Sequence, residues 1–242
     1  METRIFATAE DMAHAAAQHV ADALRQRPSL VLGLPAGRTP VAVYAELARL
    51  SARGETDFSR TTAFALDEFV GIDGMHPASF QRFIRQHFVA RVNLPSARFH
   101  ALNGRAADLS AECNRYEDAI QRAGGIGLQL LGIGGNGHIG FNEPATELVA
   151  RTHRVTLLDA TRHANAVLFD GDVTQVPREA LTIGIGSILK AESVILLAAG
   201  ESKAASVERM VRGPITPRLP ASLLQAHRSV EVYLDRAAAS HL

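Results

Sequence analysis

A single cysteine, Cys113, among 242 residues excludes an intramolecular disulfide. No one sign of charge dominates. The 25 Lys and Arg residues balance 25 Asp and Glu, so nothing in the bulk favours nucleic acid or an anionic membrane as a partner. No apolar run approaches the roughly 20 residues of a membrane span. The opening METRIFATAEDM lacks a basic region followed by an apolar one. Repeats, low-complexity tracts and long linkers are missing too. With one cysteine and scattered histidines there is no metal-ligand spacing, and the nucleophile elbow G-x-S-x-G does not occur. The expectation is a soluble cytoplasmic protein without a metal, its residues 1–242 within the size range of one α/β domain.

What is present is alternation. Short apolar runs rich in Val, Ile and Leu occur at Ser29–Leu34, Thr62–Leu66, Leu128–Gly134, Leu181–Gly186, Ser193–Ala199 and Val230–Leu234. Several are apolar on both faces, as buried parallel strands are. Helical patterns lie between them. Thr8 and Asp11 form a capping pair ahead of an apolar stripe through Met12, Ala16, Val20, Ala23 and Leu24. Further helices are expected from Pro40 to about Leu50, Pro77 to Val92, Ala107 to Arg122 and Ser202 to Val211. The pattern predicts an α/β fold, doubly wound and Rossmann-like, with a mainly parallel sheet and helices on both faces. In such folds ligands bind outside the carboxyl ends of the strands, so the loops after the strands are where function is sought.

Four loops carry chemistry. In GLPAGRTP, Thr39 reads as an N-cap and Pro40 as the first helical residue, so Gly37, Arg38 and Thr39 sit at a helix start that favours an anion. An ordinary strand-to-helix turn fits equally. In ALDEF, Asp67 stands at a strand end with Glu68 beside it; partial desolvation makes a carboxylate there a useful base, while solvated loop charges are the plainer alternative. In GESK, Gly200 and Ser202 open a helix and Lys203 lies in its first turn, where a cation opposes the dipole and points to an anionic ligand or merely to a surface lysine. In GGNGHIGFNEP, glycines allow a tight bend around His138, the one side chain there that titrates near neutral pH, with Glu143 able to orient it. A dinucleotide reading of this loop fails, because no acidic residue ends a strand about 20 residues later.

In this order and spacing the loops resemble the glucosamine-6-phosphate deaminase family. The resemblance runs over nearly the whole chain through LGLPAGRTP, LDEFVGIDGMHPASF, LGIGGNGHIGFNEPA, ATRHANA, VPREALTIGIG, GESKA and PASLLQAH. The sister 6-phosphogluconolactonases typically carry DER and DGHTASLFP where this chain has DEF and NGHIGFNEP. The resemblance implies conversion of glucosamine 6-phosphate and water into fructose 6-phosphate and ammonia, without a metal or organic cofactor. It implies His138 for ring opening, oriented by Glu143 and Asn136, and Asp67 as the base that moves a proton from C2 to C1. The phosphate would rest on Gly37, Arg38, Thr39 and Lys203. The partner is then a small sugar phosphate, with no nucleic acid or membrane, and the chain a monomer or a homo-oligomer.

Three places depart from that pattern. Asn136 stands where many relatives have Asp. Val167 stands where the resemblance leads one to expect an arginine on the phosphate, and Arg38 stands where a small residue is usual. Arg38 is therefore expected to supply the missing guanidinium, or else the substrate is another hexosamine phosphate such as galactosamine 6-phosphate. His153 and Val155 replace a basic pair that binds an acetylated sugar phosphate in regulated relatives, so no such allosteric site is expected. A lactone hydrolase and a non-catalytic sugar-phosphate sensor are the competing readings; a sensor has no use for Asp67, His138 and Glu143 together.

Overall fold

The computed structural model describes residues 1–242. In chain order the first half runs β1 (Glu2–Phe6), α1 (Ala9–Gln26), β2 (Val31–Leu34), α2 (Arg38–Ala52), β3 (Thr62–Ala65), β4 (Asp67–Phe69), α3 (Phe80–His87), β5 (Phe99–His100) and α4 (Leu109–Arg122). The second half runs β6 (Leu128–Gly132), β7 (His153–Thr156), α5 (Asp159–Asn165), β8 (Glu179–Thr182), α6 (Ile185–Leu189), β9 (Ser193–Ala198), α7 (Ala204–Arg212) and β10 (Val230–Asp235).

Seven strands form one wholly parallel sheet in the order β1-β10-β9-β6-β2-β3-β5. Helices cover both faces. Residues of α1, α2 and α3 bury one apolar cluster, and residues of α4, α6 and α7 bury the other. α1 begins as its sequence predicts: the Thr8 hydroxyl oxygen accepts the Asp11 N–H at 3.0 Å, which satisfies a first-turn donor. Its Ala13, Ala16, Ala17 and Ala21 are fully or almost fully buried, small side chains that let the helix lie close to the sheet. The expected doubly wound α/β architecture is the observed one.

Several local expectations are corrected. The run Leu181–Gly186 does not join the parallel sheet. Only its start is strand, in β8, which pairs antiparallel with β4 and β7 in a separate three-stranded sheet. The positive φ of 116° at Gly37 ends the extended chain early, so α2 starts at Arg38 with Gly37 as its N-cap, rather than at Pro40 behind a Thr39 cap. The helix expected from Pro77 starts only at Phe80, because Ser79 caps it by accepting the Arg82 N–H. It ends at His87, and a 3₁₀ turn follows over Val89–Arg91. Lys203 closes a 3₁₀ turn (Glu201–Lys203) and stands at the N-cap of α7, one step before the helix.

The topology fixes where these loops meet. From β2 the chain adds β3 and β5 on one side, then crosses back to lay β6 on the other. The switch point therefore lies between β2 and β6, where open α/β sheets bind ligands. The four chemically apt loops follow β9, β6, β2 and β3, which are consecutive neighbours in the sheet.

Candidate active site

The loop after β2 bends through Gly37. No atom lies within 4 Å of where a Cβ would stand, so the positive φ, not crowding, calls for glycine there. The helix that follows has no side-chain cap and no acidic residue in its first turn, which leaves its positive end open to an anion. Arg38 is exposed at that end. Lys203 arrives from the loop after β9. Burial, and then the charge of Arg38, lowers the pKa of Lys203 from its ordinary value. No carboxylate pairs with either cation. The Lys203 loop is fixed from behind: the Gly200 N–H, at φ 90°, donates to both carboxylate oxygens of Asp235 at 3.1 and 3.0 Å.

Asp67 lies at the seam of the two sheets. The Leu66 N–H still donates to the Leu34 carbonyl at 2.9 Å, continuing the β2–β3 ladder. One residue later the chain leaves for β4, with Asp67 paired to Thr182 of β8. Asp67 is only 6 % exposed. Burial first, and the neighbouring charge of Glu68 second, hold its pKa well above the ordinary carboxylate range.

The glycine loop after β6 closes through Gly134 N–H to the His138 carbonyl (2.9 Å) and Gly137 N–H to the Gly134 carbonyl (3.0 Å). Its glycines have separate reasons. A Cβ on Gly134 would stand 2.3 Å from the His138 ring, and one on Gly137, at φ 89°, would stand 2.1 Å from Leu219. The imidazole thus lies across residue 134 because nothing projects there. Asn136 joins the loop's two ends: its Oδ1 accepts the His138 N–H at 3.1 Å and its Nδ2 donates to Glu143 Oε2 at 2.9 Å. The same Oε2 stands 3.6 Å from His138 Nδ1, an ion-pair distance longer than a hydrogen bond. The other oxygen of Glu143 accepts the Leu158 N–H at 3.1 Å. Burial raises the proton affinity of Glu143, but the polar groups of His138, Thr161 and Asn136 around it outweigh that and leave its pKa below the usual value. Glu143 is therefore ionised at neutral pH and turned to Nδ1, which leaves Nε2 as the ring nitrogen without a protein partner.

These pieces touch through residues that sequence reasoning did not single out. The Thr182 hydroxyl oxygen accepts the Phe141 N–H at 3.1 Å, so the histidine loop sits on the strand residue that pairs with Asp67. Thr161 Oγ lies 3.5 Å from His138 Nδ1; its only signal was membership of ATRHANA. Ser206, on α7 after Lys203, donates to the Gly135 carbonyl at 2.6 Å and joins the Lys203 loop to the glycine loop. Val167 is 72 % exposed in a 3₁₀ turn after α5. His153 Nδ1 donates to the Arg151 carbonyl at 2.9 Å, and Val155 packs against a small apolar cluster. No group of three or more His, Cys, Asp or Glu side chains is arranged to hold a metal ion.

The profile of a family described as glucosamine-6-phosphate isomerases/6-phosphogluconolactonase matches residues 6–233. A glucosamine-6-phosphate deaminase of Arthrobacter sp. (strain FB24) is 46 % identical over 242 residues, covering 100 % of this chain and 93 % of that one. One from Thermoanaerobacter sp. (strain X514) is 42 % identical over 240 residues, covering 99 % and 94 %. The solved structure of a monomeric glucosamine-6-phosphate deaminase superposes with a TM-score of 0.97 at 40 % identity, covering 100 % of both chains. A 6-phosphogluconolactonase from Trypanosoma brucei shares the fold at a TM-score of 0.74 and 18 % identity, over 100 % of this chain and 98 % of that one.

Proposed function

The chain belongs to the family of glucosamine-6-phosphate isomerases and 6-phosphogluconolactonases, and from that premise we propose how its own residues convert glucosamine 6-phosphate into fructose 6-phosphate and ammonia. The observation that carries the reading is the convergence of four neighbouring strand ends. The unpaired cation Lys203 follows β9, the histidine with its ionised partner β6, the unpaired cation Arg38 β2, and the protophilic buried carboxylate Asp67 β3. A lactone hydrolase of the sister type has no need of a base with raised proton affinity next to a ring-opening histidine, and the lactonase structures share only the fold.

The phosphate is held by the open N-terminus of α2 with Arg38 and Lys203, which fixes the far end of the sugar and so positions its reacting carbons. His138, polarised by Glu143, takes the C1 hydroxyl proton through Nε2 and returns a proton to the ring oxygen as the ring opens. Asp67 removes the C2 proton of the open aldehyde and delivers it to C1, while the C1 oxygen gains a proton and the C2 amino group gives one up, so that the double bond passes from C1–O to C2–N. The resulting C2 imine adds water and expels ammonia, leaving the ketone. Each positioned proton transfer is worth roughly 10²–10⁴-fold in rate. Asn136 holds His138 and Glu143 in register without adding a second charge.

Arg38 takes the part that an arginine at position 167 would otherwise play, approaching the phosphate from the α2 side. The exchange of those two residues is also what favours a second reading, in which another hexosamine phosphate such as galactosamine 6-phosphate is the better substrate. The match to a monomeric relative supports a monomer, and a role in amino-sugar catabolism supports a cytoplasmic location. The test is ammonia release across hexosamine 6-phosphates for the wild type and Arg38→Ala. Glucosamine 6-phosphate should be turned over best. Arg38→Ala should raise KM about 10-fold or more, as loss of a charge-assisted contact does; an unchanged KM would remove Arg38 from the site.

A further inference from the structure

Glu68 is the most deeply buried carboxylate in the chain, 2 % exposed, and it bonds to none of the groups assigned to the chemistry. Four donors converge on it. The N–H groups of Phe69 and Phe80 donate to Oε1 at 2.9 and 3.1 Å. The Ser79 hydroxyl and the Gln81 N–H donate to Oε2 at 2.6 and 2.9 Å. Phe80 and Gln81 open α3, where N–H groups have no partner inside the helix. Glu68 is thus the acceptor that closes the helix end; burial raises its pKa from the ordinary carboxylate value, and the four donors, with no cation beside them, only partly offset that rise. Successive strand residues face opposite ways. With Glu68 turned to α3, Asp67 stands on the other face of β4.

We propose that Glu68 is a positioning residue for Asp67: by fastening β4 to α3 it fixes the Asp67 carboxyl at the seam and holds a second carboxylate beside it. The inference rests on Asp67 being the base. The other titratable groups around Asp67 do not compete for this role. Tyr44 from α2 and Tyr116 from α4 are buried and held, by burial first, well above the ordinary phenol range, so both stay neutral. On α3, Arg82 donates to the Met75 carbonyl, Arg85 lies over the Phe99 ring and His87 against Phe83. On β8, Glu179 faces Arg154 at 3.6 Å. Glu68 is the one neighbour whose charge raises the proton affinity of Asp67.

The test is the pH–rate profile of Glu68→Gln beside Ser79→Ala and Asp67→Asn. In Glu68→Gln, kcat at the wild-type optimum should fall roughly 10- to 100-fold, as displacement of a reacting group does, with KM within about twofold because the phosphate loops are untouched. The acidic limb should move to lower pH, because Asp67 ionises more easily once the charge beside it is gone. Ser79→Ala removes a donor and the α3 cap but leaves the charge, so its limb should stay in place. If Glu68→Gln loses activity with an unmoved limb, Glu68 is only a fastening and the proposal fails. If Asp67→Asn keeps its turnover, the base assignment fails instead. Should Glu68→Gln not fold, the wild type still decides. The ¹³C titration of the Asp67 carboxyl, assigned by its loss in Asp67→Asn, should show two inflections from its coupling to Glu68; a single inflection overturns the proposal.

Discussion

Clusters of 29 and 27 buried apolar residues cover the two faces of the seven-stranded sheet, whereas nine lie with the three-stranded one. The large sheet is held by the burial of aliphatic strands and helix stripes, each fully buried Leu, Ile or Val contributing roughly 1.5–3 kcal/mol. The small sheet has too little of this and is fastened by polar groups instead. Glu68 ties β4 to α3, and Thr182 ties β8 to the histidine loop. Glu143 ties that loop to the segment entering α5, and Asn142 donates to the Ile139 and Ile183 carbonyls at 2.9 Å each. The difference teaches where the chemistry can sit. The large sheet sets the Gly37–Arg38 and Lys203 loops, which we propose hold the phosphate, at one edge, and the polar seam supplies the carboxylates of Glu68 and Glu143, already oriented by their hydrogen bonds.

Striking each region separately should break the comparison in different ways. In the large sheet, Leu196 on β9 is fully buried. Leu196→Ala should lower stability by about 2–5 kcal/mol while the folded enzyme keeps its kcat, read by denaturant unfolding and by assay well below the midpoint. At the seam, Thr182→Val leaves the buried Phe141 N–H without its acceptor. It should cost only about 1–3 kcal/mol but lower kcat, because the histidine loop loses its seat beside Asp67. If the two variants traded effects, with Leu196→Ala slowing the chemistry and Thr182→Val leaving it untouched, the division between scaffold and seam would be wrong.

The same division governs what could be read in advance. Strands buried on both faces announce themselves as continuous apolar runs, so the central strands β2, β3, β6, β9 and β10 were legible to within a few residues. Edge and seam elements were not. β1 has only exposed and half-buried residues, β5 has two residues, and β7 reads HRVT with half-buried and exposed residues in alternation. The run at Leu181 looked like another core strand because apolarity reports burial and not which sheet a strand joins. Asp67, His138, Glu143, Asn136, Arg38 and Lys203 stood out because each is chemically out of place at a strand end. Thr161 and Thr182 did not, since a hydroxyl among apolar neighbours has no pattern until its partner is known. The roles of Glu68 and Gly37 likewise depended on features without a sequence signature, an open helix end twelve residues away and a φ of 116°.

In the mechanism proposed above, Asp67 is kept buried, at a cost to stability, because its raised proton affinity makes it the base. A carboxyl whose pKa is higher in the folded than in the unfolded chain supports folding fully below the unfolded value and loses that support as pH rises through the folded one. The decisive measurement is therefore a pair of curves against pH for the wild type and Asp67→Asn: thermal midpoint, and ammonia release from glucosamine 6-phosphate. Asp67→Asn should gain in midpoint over the wild type as pH rises above the ordinary carboxylate range, and lose roughly 10²–10⁴-fold in kcat at pH above the wild type's acidic limb. A variant that releases ammonia at the wild-type rate, or whose midpoint falls further behind the wild type as pH rises, would contradict the account.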